Sequence, residues 1–177
     1  QTERWDRCGV TFEFGCEPRY NAAPGQALTG ITDADPDGVQ RLEWGLIPSW
    51  DDESSDGYIN ARSGTAADKP AFAEAYENRR CLVPADGFYE WVEGDGGKQP
   101  YRVAFEDDRP FAMAGLWERW TPKTRQTGLS DFGGGAATES ERGPRETFTI
   151  LTTRPNDVVE PLHHRMAVVL GREAEER

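Results

Sequence analysis

Glu90 follows a tight turn and lies in a predicted strand that is rich in aromatic side chains. Pro84 and Gly87 favour the turn, because proline fixes φ and glycine allows a positive φ. Alternation along the strand places Glu90 on the same face as Phe88 and opposite Tyr89. A carboxyl group that is short of water has a raised pKa and can act as a general acid or base near neutral pH. The simpler alternative is a strand whose glutamate faces solvent.

Three further polar stretches carry residue types that could act together with Glu90. They are residues 19–25 (RYNAAPG), 59–62 (INAR) and 163–166 (HHRM). Each has a structural alternative: Asn60 could satisfy a turn, Arg62 could pair with one of many acids, and at least one of the two adjacent histidines could be a structural hydrogen-bonding group. Trp50, near the second stretch, could belong to the core. None of these stretches indicates a function when it is taken alone.

The chain is strongly acidic, with a formal net charge of −12 over 177 residues. This charge disfavours nucleic acid as a partner, because phosphate contacts need cations. It is also typical of halophilic proteins, and our interpretation of the acidity is a halophilic archaeal origin. At molar salt the Debye length is only about 3 Å, so distant surface acids would hardly repel a ligand at a local basic site. The net charge therefore leaves the type of partner open.

The cysteines at positions 8, 16 and 81 and the adjacent histidine pair do not have the spacing of metal ligands. We therefore expect no metal and no cofactor. The odd number of cysteines is typical of a reducing compartment, and no apolar run is long enough to span a bilayer. The sequence predicts a cytoplasmic, monomeric protein without membrane contact.

Short apolar or alternating runs, separated by turns rich in Gly, Pro and Asp, predict a meander of antiparallel strands. Strands are expected at residues 27–32, 41–46, 101–105, 111–117, 146–153 and 166–170, and on both sides of the turn at 84–87. Residues 68–79 have a helical pattern with Pro70 in the first turn, and residues 156–162 fit a short helix capped by Asn156. Residues 121–145 are expected to form a flexible loop. The predicted fold is a single α+β domain spanning residues 1–177, made of short, mostly antiparallel strands curled around one core with a few short helices.

Taken together and in this order, the motifs resemble those of the SOS-response-associated peptidase family, whose members process abasic sites. The resemblance rests on residues 19–25, 59–62, 87–91 (GFYEW) and 163–166, with WG at 44–45 and PSW at 48–50 between the first two. It implies a DNA-repair protein that senses abasic sites in single-stranded DNA and forms a covalent thiazolidine through an N-terminal cysteine. It also implies the catalytic residues Asn60, Glu90 and His163.

The same resemblance implies a DNA-binding surface formed by Asn21, Pro24, Trp50, Arg62 and Arg165. The last two match positions that hold DNA phosphates, and with Arg19 we expect them to form a positive strip on an otherwise acidic molecule. The chemistry suits these residue types, because opening a closed abasic sugar and capturing its aldehyde both require proton transfers. Single-stranded DNA that contains abasic sites is therefore the expected partner.

The sequence departs from the family in three places. The family begins Met-Cys-Gly-Arg, and Cys8 lies too close to Tyr20 to match that start. We therefore expect that an N-terminal segment with the nucleophile, and a final strand and helix, lie outside this sequence. Ala167 stands where the family usually has proline. Two alternatives remain: a module that binds single-stranded DNA without the nucleophile, and a peptidase that acts on protein substrates.

Overall fold

The structure, a computed structural model, describes residues 3–7, 10–14, 19–51, 57–94, 96–122, 143–171 and 174, the first two ranges through their backbone only. Strands dominate the described chain. They are β1 (Glu3–Arg7), β2 (Val10–Phe14), β3 (Ala27–Thr32), β4 (Asp35–Trp44), β5 (Asn60–Arg62), β6 (Arg80–Ala85), β7 (Phe88–Gly94), β8 (Gly97–Val103), β9 (Phe111–Trp120), β10 (Arg145–Thr153), β11 (Met166–Ala167) and β12 (Val169–Leu170). One α-helix, α1 (Ala73–Asn78), and a 3₁₀ turn at Ala66–Asp68 precede β6.

Five strands pair in a closed ring, in the order β4-β3-β6-β9-β10 and back to β4. Neighbours in the ring are antiparallel, except that β10 runs parallel to β4. Closure leaves no open sheet edge along the paired segments. The register of β3 against β4 shifts between Gly30 and Thr32, where the other edge of β3 pairs with β6. A Cβ atom at Gly30 would lie 2.6 Å from Cδ1 of Leu42, so this bend requires glycine.

Two hydrophobic clusters hold the ring together. The first cluster comes from alternate positions of β4, β6, β9 and β10, and it comprises Leu42, Cys81, Val83, Phe111, Met113, Phe148 and Ile150. The second joins α1 and the 3₁₀ turn to the other side of the sheet, and it comprises Leu46, Ala61, Ala66, Phe72, Ala75 and Leu116. The side chains on each strand that point away from the first cluster are therefore available to the second cluster or to solvent.

Strand β10 extends beyond the ring and pairs with two short strands there. Residues 150–152 run parallel to β5, and residues 152–153 run antiparallel to β11. Strands β7 and β8 form a separate two-stranded hairpin. The hairpin rests on the ring through Phe88, whose ring meets that of Phe111 edge to face at 6.5 Å between centroids. These additions carry most of the motif residues.

The helix predicted at residues 68–79 forms only as α1. Lys69 precedes Pro70 and is extended, with φ −96° and ψ 125°, because a proline disfavours the α conformation of the residue before it. The buried face of the helix, with Phe72 and Ala75, agrees with the predicted periodicity. The second predicted helix, at residues 156–162, is a series of turns. Asn156 caps it as expected, with its side-chain oxygen accepting from the backbone N–H of Val159 at 3.0 Å, but Pro161 has no N–H to continue a helix.

The predicted α+β class is therefore wrong: the described chain is strand-dominated, its helical residues are confined to α1, the 3₁₀ turn and residue 174, and its sheet is mixed. The strand at residues 27–32 is confirmed with its bounds. Other strands begin earlier or end later than predicted, and residues 166–170 divide into β11 and β12. The expected loop at 121–145 falls largely on residues 123–142, which lie outside the described residues. Within the described chain, no helix has the length and apolarity to cross a membrane.

Candidate functional site

Glu90 lies on the half-buried face of β7, which it shares with Phe88 as the alternation predicted, so the alternative that turned it to solvent is wrong. Phe88, on the same face, anchors the strand on Phe111. The side chain of Glu90 is 18% exposed, and this burial raises the pKa of its carboxyl group, against the opposing influence of His163 and His164. A carboxyl group whose pKa is raised by burial is suited to proton transfer nearer neutral pH.

His163 is held through its backbone N–H and through one nitrogen of its ring. Its backbone N–H donates to the carbonyl of Val159 at 2.9 Å. Its Nδ1 lies 2.9 Å from the carbonyl oxygen of Arg165 and 3.7 Å from Oε2 of Glu90. A carbonyl oxygen can only accept a hydrogen bond, so Nδ1 carries the hydrogen in this contact. Nε2 is therefore the ring nitrogen that can release or take up a proton at a ligand.

Thr152, on β10, joins the segments that carry Arg62 and Arg165. Its Cα pairs with that of Arg62 on β5 and with that of Ala167 on β11. The guanidinium of Arg165 donates to the carbonyl of Thr152 and, at 3.0 Å, to its hydroxyl. Neighbouring strands lie about 4.8 Å apart, so the backbones of β5 and β11 are about 10 Å apart across β10. The backbones that carry the two motif arginines thus flank one strand, and the Arg165 guanidinium reaches the Thr152 carbonyl that also accepts from the N–H of Ser63, the neighbour of Arg62.

Asn60 and Arg62 are exposed at the two ends of β5. The strand is held by the carbonyl of Ile59, which accepts from Nε1 of Trp44 at 2.8 Å and from the backbone N–H of Ile150 at 3.2 Å. In the part of the chain that the structure describes, neither Asn60 nor Arg62 makes a side-chain hydrogen bond or an ion pair. Both side chains are therefore accessible to a ligand.

The segment at residues 19–25 lies beside the hairpin, because Oη of Tyr89 donates to the carbonyl of Tyr20 at 3.3 Å. Asn21 and Pro24 are exposed on this segment. Trp50 is 56% exposed, so the alternative that placed it in the core is wrong. The backbone next to Trp50 is anchored at Asp51, whose carbonyl accepts a hydrogen bond from Nε1 of Trp120 at 2.7 Å.

The structure brings some of the predicted site residues together and leaves others apart. Glu90 and His163 approach each other, and Arg62 and Arg165 flank β10. Among the described residues, Asn60 makes no hydrogen bond with Glu90 or His163, so its catalytic role stays a prediction. Arg19, expected in a strip with the other two arginines, is instead directed to the carbonyl of Ala27.

Exposed aromatic side chains on the hairpin were missed by the sequence reasoning. Trp91 is 53% exposed, Tyr101 46% and Tyr89 43%, and the rings of Tyr89 and Trp91 lie 6.3 Å apart. The signal was present, since the alternation that turns Glu90 inward turns Tyr89 and Trp91 outward. A shallow groove of about 580 Å³ also adjoins the site, lined by residues 154–155 and 160–164.

The cysteine that the structure describes is not a nucleophile. Cys81 is buried in the first hydrophobic cluster, and burial together with the nearby charge of Asp33 raises the pKa of its thiol far above the ordinary range. Such a thiol stays protonated and unreactive at neutral pH. Within the described ranges, no group of three or more His, Cys, Asp or Glu side chains is arranged to hold a metal ion.

Comparisons with known proteins agree with the motif resemblance. The chain is 40% identical to "Abasic site processing protein YoqW" of Bacillus subtilis over 163 residues, which cover 89% of this chain and 65% of the relative. It is 34% identical to "Abasic site processing protein HMCES" of Gallus gallus, with 90% of this chain and 53% of the relative covered. A crystal structure of a protein from Bacteroides thetaiotaomicron superimposes with a TM-score of 0.70 at 32% identity, over 86% of this chain and 62% of the other.

The chain thus spans less than two thirds of the length of these relatives. Their sources, two bacteria and a bird, give no support to the halophilic archaeal origin inferred from the acidity. The profile of the family described as "SOS response associated peptidase (SRAP)" matches residues 3–177. With a match over nearly its whole length and relatives at 40% identity, the chain belongs to the SRAP family.

Proposed function

We propose that this chain recognises abasic sites in single-stranded DNA and processes them, with Glu90 and His163 as its proton-transfer groups. The observation that carries this proposal is the approach of the two side chains, with His163 Nδ1 3.7 Å from a half-buried carboxyl group of raised pKa. The names of the relatives, which are abasic site processing proteins, supply the substrate class.

The first step is the opening of the closed abasic sugar. One proton goes to the ring oxygen and another leaves the anomeric hydroxyl, which yields the free aldehyde. A neutral amine then adds to the aldehyde carbon, the carbinolamine takes up a proton and loses water, and a thiolate closes the thiazolidine on the same carbon. The net reaction releases one water molecule. Glu90 and Nε2 of His163 are assigned these proton transfers, because a carboxyl group and an imidazole can each donate or accept a proton and the two side chains lie next to each other.

The covalent step needs an amine and a thiol on adjacent carbons of one residue. Cys8, Cys16 and Cys81 cannot provide this pair, since their amines are in peptide bonds. We therefore assign the nucleophile to an N-terminal cysteine of the kind that the family resemblance implies. Gln1 has an amine without a thiol, so a chain of residues 1–177 would form at most a reversible Schiff base.

Binding is assigned to cations and exposed rings around this pair. Arg62 and Arg165 suit phosphate oxygens, because a guanidinium offers parallel N–H donors. Asn21, Pro24 and Trp50 lie on the exposed segments that would meet the strand near the lesion, and Asn60 would hold the terminal amine. Single-stranded DNA should bind better than duplex, because stacking on exposed aromatic side chains needs unpaired bases.

The test compares His163→Asn with His163→Gln in the full-length protein with its N-terminal cysteine. The Asn amide can occupy the place of Nδ1 and keep the hydrogen bond to Arg165, whereas the Gln amide lies nearer the place of Nε2. Neither amide transfers protons. We expect both variants, and Glu90→Gln, to form denaturation-resistant adduct about 10²–10⁴-fold more slowly, the usual scale for a general acid or base. His163→Asn should keep the thermal stability of the wild type more closely than His163→Gln.

Two controls define the outcome. A chain of residues 1–177 should bind abasic single-stranded DNA without a stable adduct, and a stable adduct would show that the nucleophile is wrongly assigned. Wild-type rates in Glu90→Gln and His163→Asn would contradict the catalytic assignment, whereas binding without any adduct in the wild type would favour a module that only binds DNA. A peptidase is less well supported, because no Ser, Thr or Cys side chain is hydrogen-bonded to His163 within the described ranges.

A further inference from the structure

Arg19 and Arg41 direct their guanidinium groups to the same backbone oxygen. Nη1 of Arg19 lies 3.0 Å from the carbonyl oxygen of Ala27, and Nη2 of Arg41 lies 3.1 Å from it. The two nitrogens are therefore no more than about 6 Å apart, at ordinary hydrogen-bond lengths to one acceptor. Like charges at this separation repel each other, and one neutral carbonyl compensates neither of them.

No carboxylate neutralises this arginine pair within the described part of the chain. The nearest acid along β4 is Glu43, and that carboxylate is held by Arg145 through two of its nitrogens. Both members of the arginine pair are exposed. In a chain with 32 acidic and 20 basic residues, two adjacent arginines that contact no acid among the described residues differ locally from the overall charge.

Arg19 is also positioned in advance. Its Nη2 donates to Oε1 of Gln26 at 2.7 Å, and the same oxygen accepts from the backbone N–H of Ala23 at 3.1 Å. The side chain is thus tied to the turn at residues 23–26. An arginine that is held in place loses less conformational entropy when it binds a ligand.

The arginine pair adjoins the surface of the proposed function. Arg19 precedes Tyr20, whose carbonyl accepts from Tyr89, the neighbour of Glu90. The motif arginines Arg62 and Arg165, in contrast, flank β10. A strand held at Glu90 could therefore contact one cationic site near β10 and a second near β3.

We propose that Arg19 and Arg41 form a second phosphate site, which binds a phosphodiester of the same single-stranded DNA a short distance along the strand from the abasic sugar. The inference rests on the proposed function. Two guanidinium groups suit the two non-bridging oxygens of a phosphodiester, and the bound anion would remove the repulsion between them. The site would add affinity without reading sequence, because phosphate contacts position the strand and carry no base information.

The experiment measures binding of a single-stranded oligonucleotide with a tetrahydrofuran abasic analogue to the wild type, Arg19→Gln, Arg41→Gln and the double variant. Arg80→Gln is the matched control. Like Arg19 and Arg41, Arg80 donates from its guanidinium to a backbone carbonyl, that of Tyr76 at 3.0 Å. It differs in its position, because its backbone N–H donates to the carboxylate of Asp33, just past the end of β3 that is distant from Ala27. The charge change is the same at all three positions.

We expect Arg19→Gln and Arg41→Gln each to bind about 2- to 3-fold more weakly than Arg80→Gln, which has the same charge change. The double variant should bind about 3- to 10-fold more weakly than the wild type, with a plot of log K against log salt concentration that is shallower by about 0.7, the contribution of one phosphate on a single strand. Thermal melting should be close to that of the wild type, since both side chains are exposed. Equal affinity and slope in the double variant and Arg80→Gln would overturn the second site alone. Failure of the wild-type protein to bind the oligonucleotide would overturn the proposed function, and this inference with it.

Discussion

The closed ring and the β7–β8 hairpin stabilise their strands in different ways. Along its paired segments, each ring strand has a partner on both sides and a buried face, as with Phe148 and Leu42, which are 1% and 0% exposed. The two hairpin strands pair with each other and with no other described strand. The hairpin is held from outside by the Phe88–Phe111 contact, by Arg102 with Asp86 and Asp108, and by Tyr89 on Tyr20.

The difference shows how stability and chemistry are divided in this molecule. Interior positions of the ring are occupied by apolar side chains that pack to high density, and a polar ligand could not enter there. Strand β7 of the hairpin has one face exposed and the other half-buried, so it can place Glu90 between the protein and solvent. Partial burial raises the pKa of the carboxyl group while leaving it open to a substrate.

Truncating one phenylalanine in each region tests this division. Phe148→Ala removes a buried ring that stacks on Trp44 at 6.2 Å, and should cost about 3–5 kcal/mol of unfolding free energy. Phe88→Ala, in the hairpin, should cost less unfolding free energy than Phe148→Ala. It should nevertheless slow adduct formation more than Phe148→Ala does, because the strand that carries Glu90 loses its contact with the ring. Urea unfolding and adduct time courses measure both. An equal loss of stability in the two variants would show that the hairpin belongs to the core.

Charge reversal at Arg62 tests whether an exposed site residue can change DNA affinity without changing the stability of the ring. We expect Arg62→Glu to weaken single-stranded DNA binding about 10-fold, since it removes one phosphate contact and adds repulsion. The unfolding free energy should change by less than about 0.5 kcal/mol, as at other surface positions. Arg80→Glu is the control with the same charge change. Comparable affinities for the two variants would remove Arg62 from the binding surface.

The smallest expected effect is a pH-dependent gain in stability from Glu90→Gln. Burial raises the pKa of Glu90 in the folded state above its ordinary value of 4.5, so the folded protein holds this proton more tightly than the unfolded chain. Ionisation therefore costs stability as the pH rises through the folded-state pKa, and Gln avoids that cost. Thermal melting should show Glu90→Gln above the wild type at pH 7.5, with the gap closing at pH 4. A gap of the same size at both pH values would contradict the raised pKa.

Local sequence patterns predicted those structural features that depend on residues adjacent in sequence. The alternation of Phe88, Tyr89 and Glu90 predicted which residues share a face but not which face is half-buried, and β3 was predicted with its bounds. The motif resemblance gave the family and the Glu90–His163 pair. The helix predicted at residues 68–79 is longer than α1, because Pro70 keeps Lys69 extended and a helical periodicity does not contain this effect.

The ring and the arginine pair depend on contacts that a local pattern does not contain. The backbone N–H of Ile47 donates to the hydroxyl of Thr147, 100 residues away in sequence. The parallel pairing of β10 with β4 arises in the same way, and no turn between adjacent strands signals it. Arg19 meets Arg41 at the carbonyl of Ala27 only because β3 pairs with β4, and the positions of Arg62 and Arg165 depend on the pairing of β10.

The position of β10 in the ring has a consequence for protein synthesis. Until residues 145–153 have been translated, β4 and β9 each have an unpaired edge, which is a site for aggregation. His163 and Arg165 leave the ribosome later still. We therefore expect the proposed DNA-binding site to be unable to assemble on the nascent chain, next to ribosomal RNA, until residues 163–165 have left the ribosome.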